Sequence, residues 1–155
     1  MTRFMGYSTA AAFMAATLVA GPVAQAGEKD GMMSAGNLAK HYKDHYGKQV
    51  TVKAEVEDVL GDRMFTLDED ALLAGADVLV MVPRGMVSLT KDQKVIVTGE
   101  VRPYVEKDFD RDFDFFEDGK IVKTKTKVDW ETRPVIIATS IRTESGTELM
   151  KSASR

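Results

Sequence analysis

"GKQVTVKAEVEDVL", residues 47 to 60, is the stretch on which the fold turns. Val50, Val52, Ala54 and Val56 fall on one side of an extended chain, and Thr51, Lys53, Glu55 and Glu57 on the other. A period of two with valines on the apolar side marks a strand buried on one face. Working outward, "LGDR" at 60 to 63 supplies a Gly-Asp turn, and "MFTLDED" from Met64 begins a second strand. "DVLVMVP", 77 to 83, is apolar on both sides, which predicts either a doubly covered strand or an exposed face used for contact. "QKVIVTGEVRP", 93 to 103, alternates again with Val95, Val97, Gly99 and Val101 on one side, and "RPVIIATSIRT", 133 to 143, makes a fifth strand. Gly99 inside its strand predicts a bend or bulge at a barrel corner. Five short strands with turn residues between them, and a connection at 84 to 92 too short for much helix, predict an all-β chain. Its architecture is a small antiparallel barrel with one short N-terminal helix.

That helix is read from "NLAKHYKDHYG", 37 to 47. Asn37 can cap it, Leu38, Tyr42 and His45 recur at helical spacing, and Gly47 stands where a left-handed stop belongs. His41 and His45 are one helical turn apart, a spacing that can ligate a metal, yet no acidic or cysteine partner stands at motif spacing. No metal site is favoured. Residues 1 to 26 read as a cleaved signal peptide: Arg3, the apolar run Ala10 to Ala20, a Gly21-Pro22 break, then Ala24-Gln25-Ala26. An apolar core well short of the ~20 residues that span a bilayer leaves no integral membrane segment after processing near Ala26. With no cysteine, neither a lipoprotein thiol nor a disulfide is available. The expected location is periplasmic or secreted.

Taking 26 residues from 155 leaves 129, one domain's worth; taking Arg3 from 21 Lys+Arg leaves 20 against 24 Asp+Glu, a net charge of −4. A net acidic surface argues against a non-specific grip on nucleic acid. The expected divisions are a flexible leader at 27 to 36, a barrel domain at 37 to 143 with an insertion at 103 to 132, and a polar tail at 144 to 155.

The pairing of "GKQVTVKAEVEDVLG" with the later "LTKDQKVIVTGEVRP" and the closing "PVIIATSI" resembles the OB-fold, in particular the small exported bacterial OB-fold proteins of tRNA-anti-like type. There the first and fourth strands share a G-x-x-V-x-V-x-G-x-V rhythm. Gly47, Val50, Val52 and Val56 match the first copy, with Ala54 in place of its second glycine, and Val95, Val97, Gly99 and Val101 match the second. The resemblance covers residues 38 to 143. It implies a ligand surface on the barrel face and its flanking loops, and so the candidates Arg63 and Phe65, Met81 and Arg84, and Arg102, Tyr104 and Trp130.

The insertion holds "DFDRDFDFFEDGKIVKTKTKVD", 108 to 129. As a calcium loop starting at Asp108 it fails, because Phe113 stands where the sharp turn needs glycine and Gly119 where a bidentate glutamate belongs. As a helix, Val105, Phe109, Phe113 and Phe116 form an apolar stripe. As a hairpin turning at Asp118-Gly119, Asp114 faces Lys123, Asp112 faces Lys125 and Asp110 faces Lys127, while Phe115 meets Val122, Phe113 meets Thr124 and Phe109 meets Val128. The lysine and threonine alternation after the turn favours the hairpin. Its phenylalanine face needs cover, either from the rest of the chain or from a partner that meets Phe109, Phe113, Phe115 and Trp130.

No enzyme is expected. The two histidines both fall in the first helix, and neither a Gly-x-Ser-x-Gly elbow nor a phosphate-cradling glycine loop is present. The carboxylates of "DED" at 68 to 70 and of the aspartate run could pair for acid/base work, but nothing in the sequence says that they converge. The reading is a non-catalytic binding module without a cofactor, for a small molecule, a glycan or an envelope protein. Two alternatives stand beside it: an oligonucleotide-binding protein using Lys120, Lys123, Lys125 and Lys127 beside aromatics, and a calcium- or zinc-binding protein using His41 and His45 or the carboxylate run.

Overall fold

A computed structural model describes residues 31–69, 78–113 and 129–151. Strand β1 (Met33–Ser34) runs parallel to the first long strand, β2 (Gln49–Val59), with Met33 opposite Val52. Between them helix α1 (Ala35–His41) passes into a 3-10 turn at Tyr42–His45. Strands β3 (Met64–Asp68), β4 (Val78–Met81) and β5 (Met86–Val87) follow, then β6 (Lys94–Pro103) and helix α2 (Glu106–Phe113). A short 3-10 turn at Trp130–Thr132 leads into β7 (Pro134–Thr143), and β8 (Met150–Lys151) ends the described chain.

The long strands close on themselves. β2 pairs with β3, β3 with β4, β4 with β7, β7 with β6, and β6 returns to β2. Four of these pairings are antiparallel, and β4 with β7 is parallel. This is an OB-like barrel of five strands. Its interior is the alternating set read from the sequence: Val50, Val52, Ala54 and Val56 from β2, Phe65 and Leu67 from β3, Val78 and Val80 from β4, Val95, Val97 and Val101 from β6, and Ile136, Ala138 and Ile141 from β7.

Gly99 sits where β6 meets an irregularity in β7. Thr98 is opposite Ser140 but Gly99 is opposite Ala138, so Thr139 is the extra residue of a bulge. An irregularity is expected at this glycine and one is present, with the extra residue on the partner strand, and the glycine is needed for contact. A Cβ on Gly99 would lie 2.3 Å from the Ile137 carbonyl oxygen and 2.6 Å from Ile136 Cγ2.

Both ends of the barrel are filled by the chain's own flanks, which changes three expected boundaries. Ala35 and Leu38 of α1 are fully buried in the core. To place them there the helix starts two residues before Asn37, and its cap is Ser34, whose Oγ accepts from the Asn37 backbone N–H at 3.2 Å. The stretch read as a leader therefore contains β1 and the cap. Gly47 has the positive φ expected of a stop, 73°. At the other end, the stretch read as a polar tail turns back at Gly146, packs Leu149 and Met150 on the core, and pairs β8 with β5.

Glu148 fastens that return, accepting from Ser140 Oγ at 2.8 Å and from the Ile141 and Met150 backbone N–H groups at 3.0 and 3.3 Å. Burial alone would raise its pKa, but these donors, with Arg142 nearby, outweigh burial and hold the carboxyl below its ordinary value. A depressed carboxyl stabilises the fold fully above its unfolded value, about 4.3, and loses that contribution as pH falls through the lower folded value. The expected result is a melting-temperature gap between the parent and Glu148→Gln that is widest above about pH 5 and closes in stronger acid. A gap independent of pH would mean that the charge is not what the three donors read.

The insertion is the largest departure from expectation. Residues 106 to 113 form a helix, not the outgoing strand of a hairpin. Glu106 and Asp108 lie in its first turn, where the helix dipole favours anions, and Asp108 pairs with Arg111 one turn on at 3.2 Å. Phe109 is buried. Burying one phenylalanine is worth about 2 kcal/mol, more than an exposed cross-strand ion pair at about 0 to 1 kcal/mol, so tertiary burial settles the period. Phe115, Lys123, Lys125, Lys127 and the Asp118-Gly119 turn lie outside the described residues.

Candidate functional site

An OB barrel takes its ligand on the outer face of its second and third strands, between the loop joining strands one and two and the loop joining strands four and five. Here those strands are β3 and β4, and the loops are residues 60 to 63 and 104 to 133. Outward-facing residues of β3 and β4 should be half exposed if the face were open. Instead Met64, Leu79 and Met81 are buried, together with Val135 and Ile137 of β7 and Leu60 of the first loop.

What covers them is the second loop. Phe109 and Trp130, each 3% exposed, belong to the same apolar cluster, and Tyr104 packs on it. The Tyr104 and Phe109 rings lie 5.7 Å apart, centroid to centroid, at a tilt. Trp130 is set by a small turn in which Asp129 accepts through Oδ1 from the Glu131 N–H at 3.1 Å and the Thr132 hydroxyl donates to the Asp129 carbonyl at 2.9 Å. Helix α2 is held by Arg102, which lies 3.5 Å from Asp112 while its Nε is 2.9 Å from Glu100. Hydrogen bonding from Arg111, aided by Arg102, keeps the Asp112 carboxyl below the usual carboxylate range although its burial acts the other way.

The seven residues chosen from the OB resemblance thus separate. Phe65 faces the interior, opposite Val80, and belongs to the barrel core. Met81, Tyr104 and Trp130 are brought together, as part of the covered face. Arg63 points along the first loop, donating from Nε to the Val82 carbonyl at 3.2 Å and from Nη2 to the Pro83 carbonyl at 3.1 Å. Arg84 lies on the turn after β4. Arg102 braces the insertion. Phe109 joins the covered face, and Phe113 ends α2. Leu60, Leu79 and Ile137 complete the face and are not among the sequence candidates; the two-sided apolarity of 77 to 83 is the signal for Leu79.

Arg63 is a brace whose removal has a readable effect. Arg63→Ala is expected to lower stability by about 2 kcal/mol, since two backbone carbonyls lose a charged donor. Lysine at this position should restore only part, because an ammonium does not fork across two acceptors. Urea unfolding of the three proteins checks this.

His41 and His45 do not share a helical face. Past His41 the backbone tightens to three residues per turn, which rotates position i+4 away from position i. Among the described residues no three His, Cys, Asp or Glu side chains converge as metal ligands. Asp68, the first carboxylate of "DED", is buried and accepts from the Glu69 backbone N–H at 2.6 Å. No helix of the described residues is long and apolar enough to cross a membrane.

No protein-family model matches this chain, and no curated protein matches it. Among solved structures it is similar to an OBody bound to hen egg-white lysozyme, with a TM-score of 0.40 and 19% identity over 70% of this chain and 88% of the other. It is also similar to a putative aspartyl-tRNA synthetase from Leishmania major, with a TM-score of 0.42 and 12% identity over 86% of this chain and 24% of the other. The chain spans about a quarter of the synthetase's length.

Proposed function

We propose that this chain is a non-catalytic OB-type binding module of the bacterial envelope, working in the periplasm or outside after export, and that its partner is another envelope protein met through the 103 to 132 insertion. One observation carries the reading: Phe109 and Trp130 occupy the face on which an OB barrel would hold a ligand. A small molecule, glycan or oligonucleotide would have to displace about two aromatic side chains' worth of burial to reach Leu79 and Met81. A protein need not, because it can meet the outer surface of the insertion as it stands. Among its described residues the insertion exposes Val105, 41% open, and the cations Lys107 and Arg111. Apolar and charged side chains on one segment are the materials of which a protein interface is made.

The oligonucleotide reading needs aromatic platforms open to bases, and of the candidates among the described residues Phe65, Phe109 and Trp130 are buried. The test is capture from envelope extract with the full chain carrying Val105→Asp and Arg111→Glu. Capture by the parent that is lost in this variant, and kept when Lys53 and Lys94 on the far wall are changed to glutamate, supports the proposal. Equal capture by all three ends it, and tight binding of a labelled single-stranded oligonucleotide with a shift in Trp130 emission would favour the nucleic-acid reading.

A further inference from the structure

The α1 end of the barrel carries a second surface, separate from the insertion. Residues 40 to 48, "KHYKDHYGK", hold three lysines and one aspartate, a local charge of +2 in a chain whose net charge is −3. Lys40, His41, Lys43 and Lys48 line its exposed side. On the barrel wall Lys53, Lys91 and Lys94 each have a glutamate within 3.5 Å, Glu144, Glu57 and Glu55. Lys40, Lys43 and Lys48 have no carboxylate partner among the described residues. Three lysines within nine residues, with no carboxylate partner among the described residues, give this stretch of an acidic protein a local positive field.

We infer that this rim docks the protein on an anionic membrane surface. The choice of a bilayer over a polyanionic strand follows from the aromatic residues between the lysines. Tyr42 and Tyr46 pack on the core and on each other, edge to face at 5.6 Å, and Lys43 Nζ stands 5.8 Å above the Tyr42 ring. Both rings are half-buried and turned onto the core and each other, which leaves little free face for stacking a base, the feature that single-stranded nucleic-acid sites combine with their charge. What remains is a set of exposed cations on flexible stems beside two half-buried phenols. A flat sheet of anionic headgroups meets that shape without needing a groove, and tyrosines at the boundary suit the headgroup level.

Each lysine near an anionic leaflet strengthens adsorption about five-fold, so three give about a hundred-fold. Cosedimentation of the full chain with vesicles of phosphatidylcholine, alone or with about one third phosphatidylglycerol, measures this. The apolar run Ala10 to Ala20 is the same in every variant, so it adds equally throughout. Expected are stronger adsorption to the anionic vesicles than to the neutral ones, its loss at about 0.5 M salt, and a roughly hundred-fold drop in Lys40→Ala/Lys43→Ala/Lys48→Ala. The triple arginine variant should retain binding, and Lys53→Ala/Lys94→Ala should match the parent. Equal adsorption of the triple alanine variant, or of the parent to neutral and anionic vesicles, overturns the inference. So does binding to a single-stranded oligonucleotide with none to anionic vesicles, which would give the rim to a polymer instead.

Discussion

Gly99→Ala is expected to be the most damaging single-methyl change in this chain, lowering stability by about 3 kcal/mol or more and the melting temperature by about 10 °C. The added carbon would sit 2.3 Å from the Ile137 carbonyl oxygen and 2.8 Å from its carbonyl carbon. Neither atom belongs to a flexible side chain. Both lie in β7, which at this point is hydrogen-bonded to β6 on one side and, through the Met81 to Ile137 pairing, to β4 on the other. Relief by about 1 Å would have to move a strand that closes the barrel, and overpacking that forces the backbone costs more than overpacking that turns a rotamer. Ala54 is the useful contrast. It stands where the first strand's repeat would place glycine, and its side chain points inward among the core residues. Urea midpoints for Gly99→Ala and for Ala54→Gly measure the difference. A Gly99→Ala protein within about 1 kcal/mol of the parent would mean that β6 and β7 are not pressed together at the bulge.

The same glycine shows what kind of feature can be seen in a sequence. A strand with one buried face writes its parity into the chain, so β2 and β6 are readable residue by residue, and a glycine on the buried face of such a strand points to a bend or a close approach. Strands buried on both faces erase their parity. β4 is apolar at every position and β3 is buried throughout, so "VLVM" says nothing of which side Val80 and Met81 take, and in "MFTLD" only Thr66 and Asp68 hint that Phe65 points inward and Met64 outward. Phe65 therefore reads as part of a ligand surface in the sequence and belongs to the core in the fold. The insertion is ambiguous on different grounds. "DFDRDFDFF" satisfies a period of two and a four-residue helical spacing at once, and what separates them is whether Phe109 finds an apolar surface to bury against. That surface is built by residues 60, 79, 81 and 137, remote in sequence from the helix they receive. Ser34 and Asn37 are equally good caps, and the barrel decides between them, because it needs Ala35 and Leu38 as its plug.

Trp130→Ala should then separate the covered face from its cover. The indole is almost wholly buried on the outer wall of β3, β4 and β7, and removing it is expected to cost about 3 to 5 kcal/mol by urea unfolding. The loss has a local part that Gly99→Ala lacks. The barrel interior and the covered face are separate apolar clusters that share no residue, so the five strands can stay closed while Leu79, Met81 and Ile137 are uncovered. Near-native far-ultraviolet dichroism together with new binding of a hydrophobic dye would report that state. Phe109→Ala is expected to be less severe, at about 3 kcal/mol, and the double variant less damaging than the sum, because both side chains lie over one surface and the second has less to hold once the first is gone. Full additivity would mean that the two pack independently and that the insertion does not act as one cover. As the chain's one tryptophan, Trp130 also supplies the readout in the parent protein. If a partner binds the insertion where it lies, the emission stays that of a buried indole; a red shift on binding would mean that the partner lifts the insertion and takes the barrel face for itself, which the proposed mode of recognition does not survive.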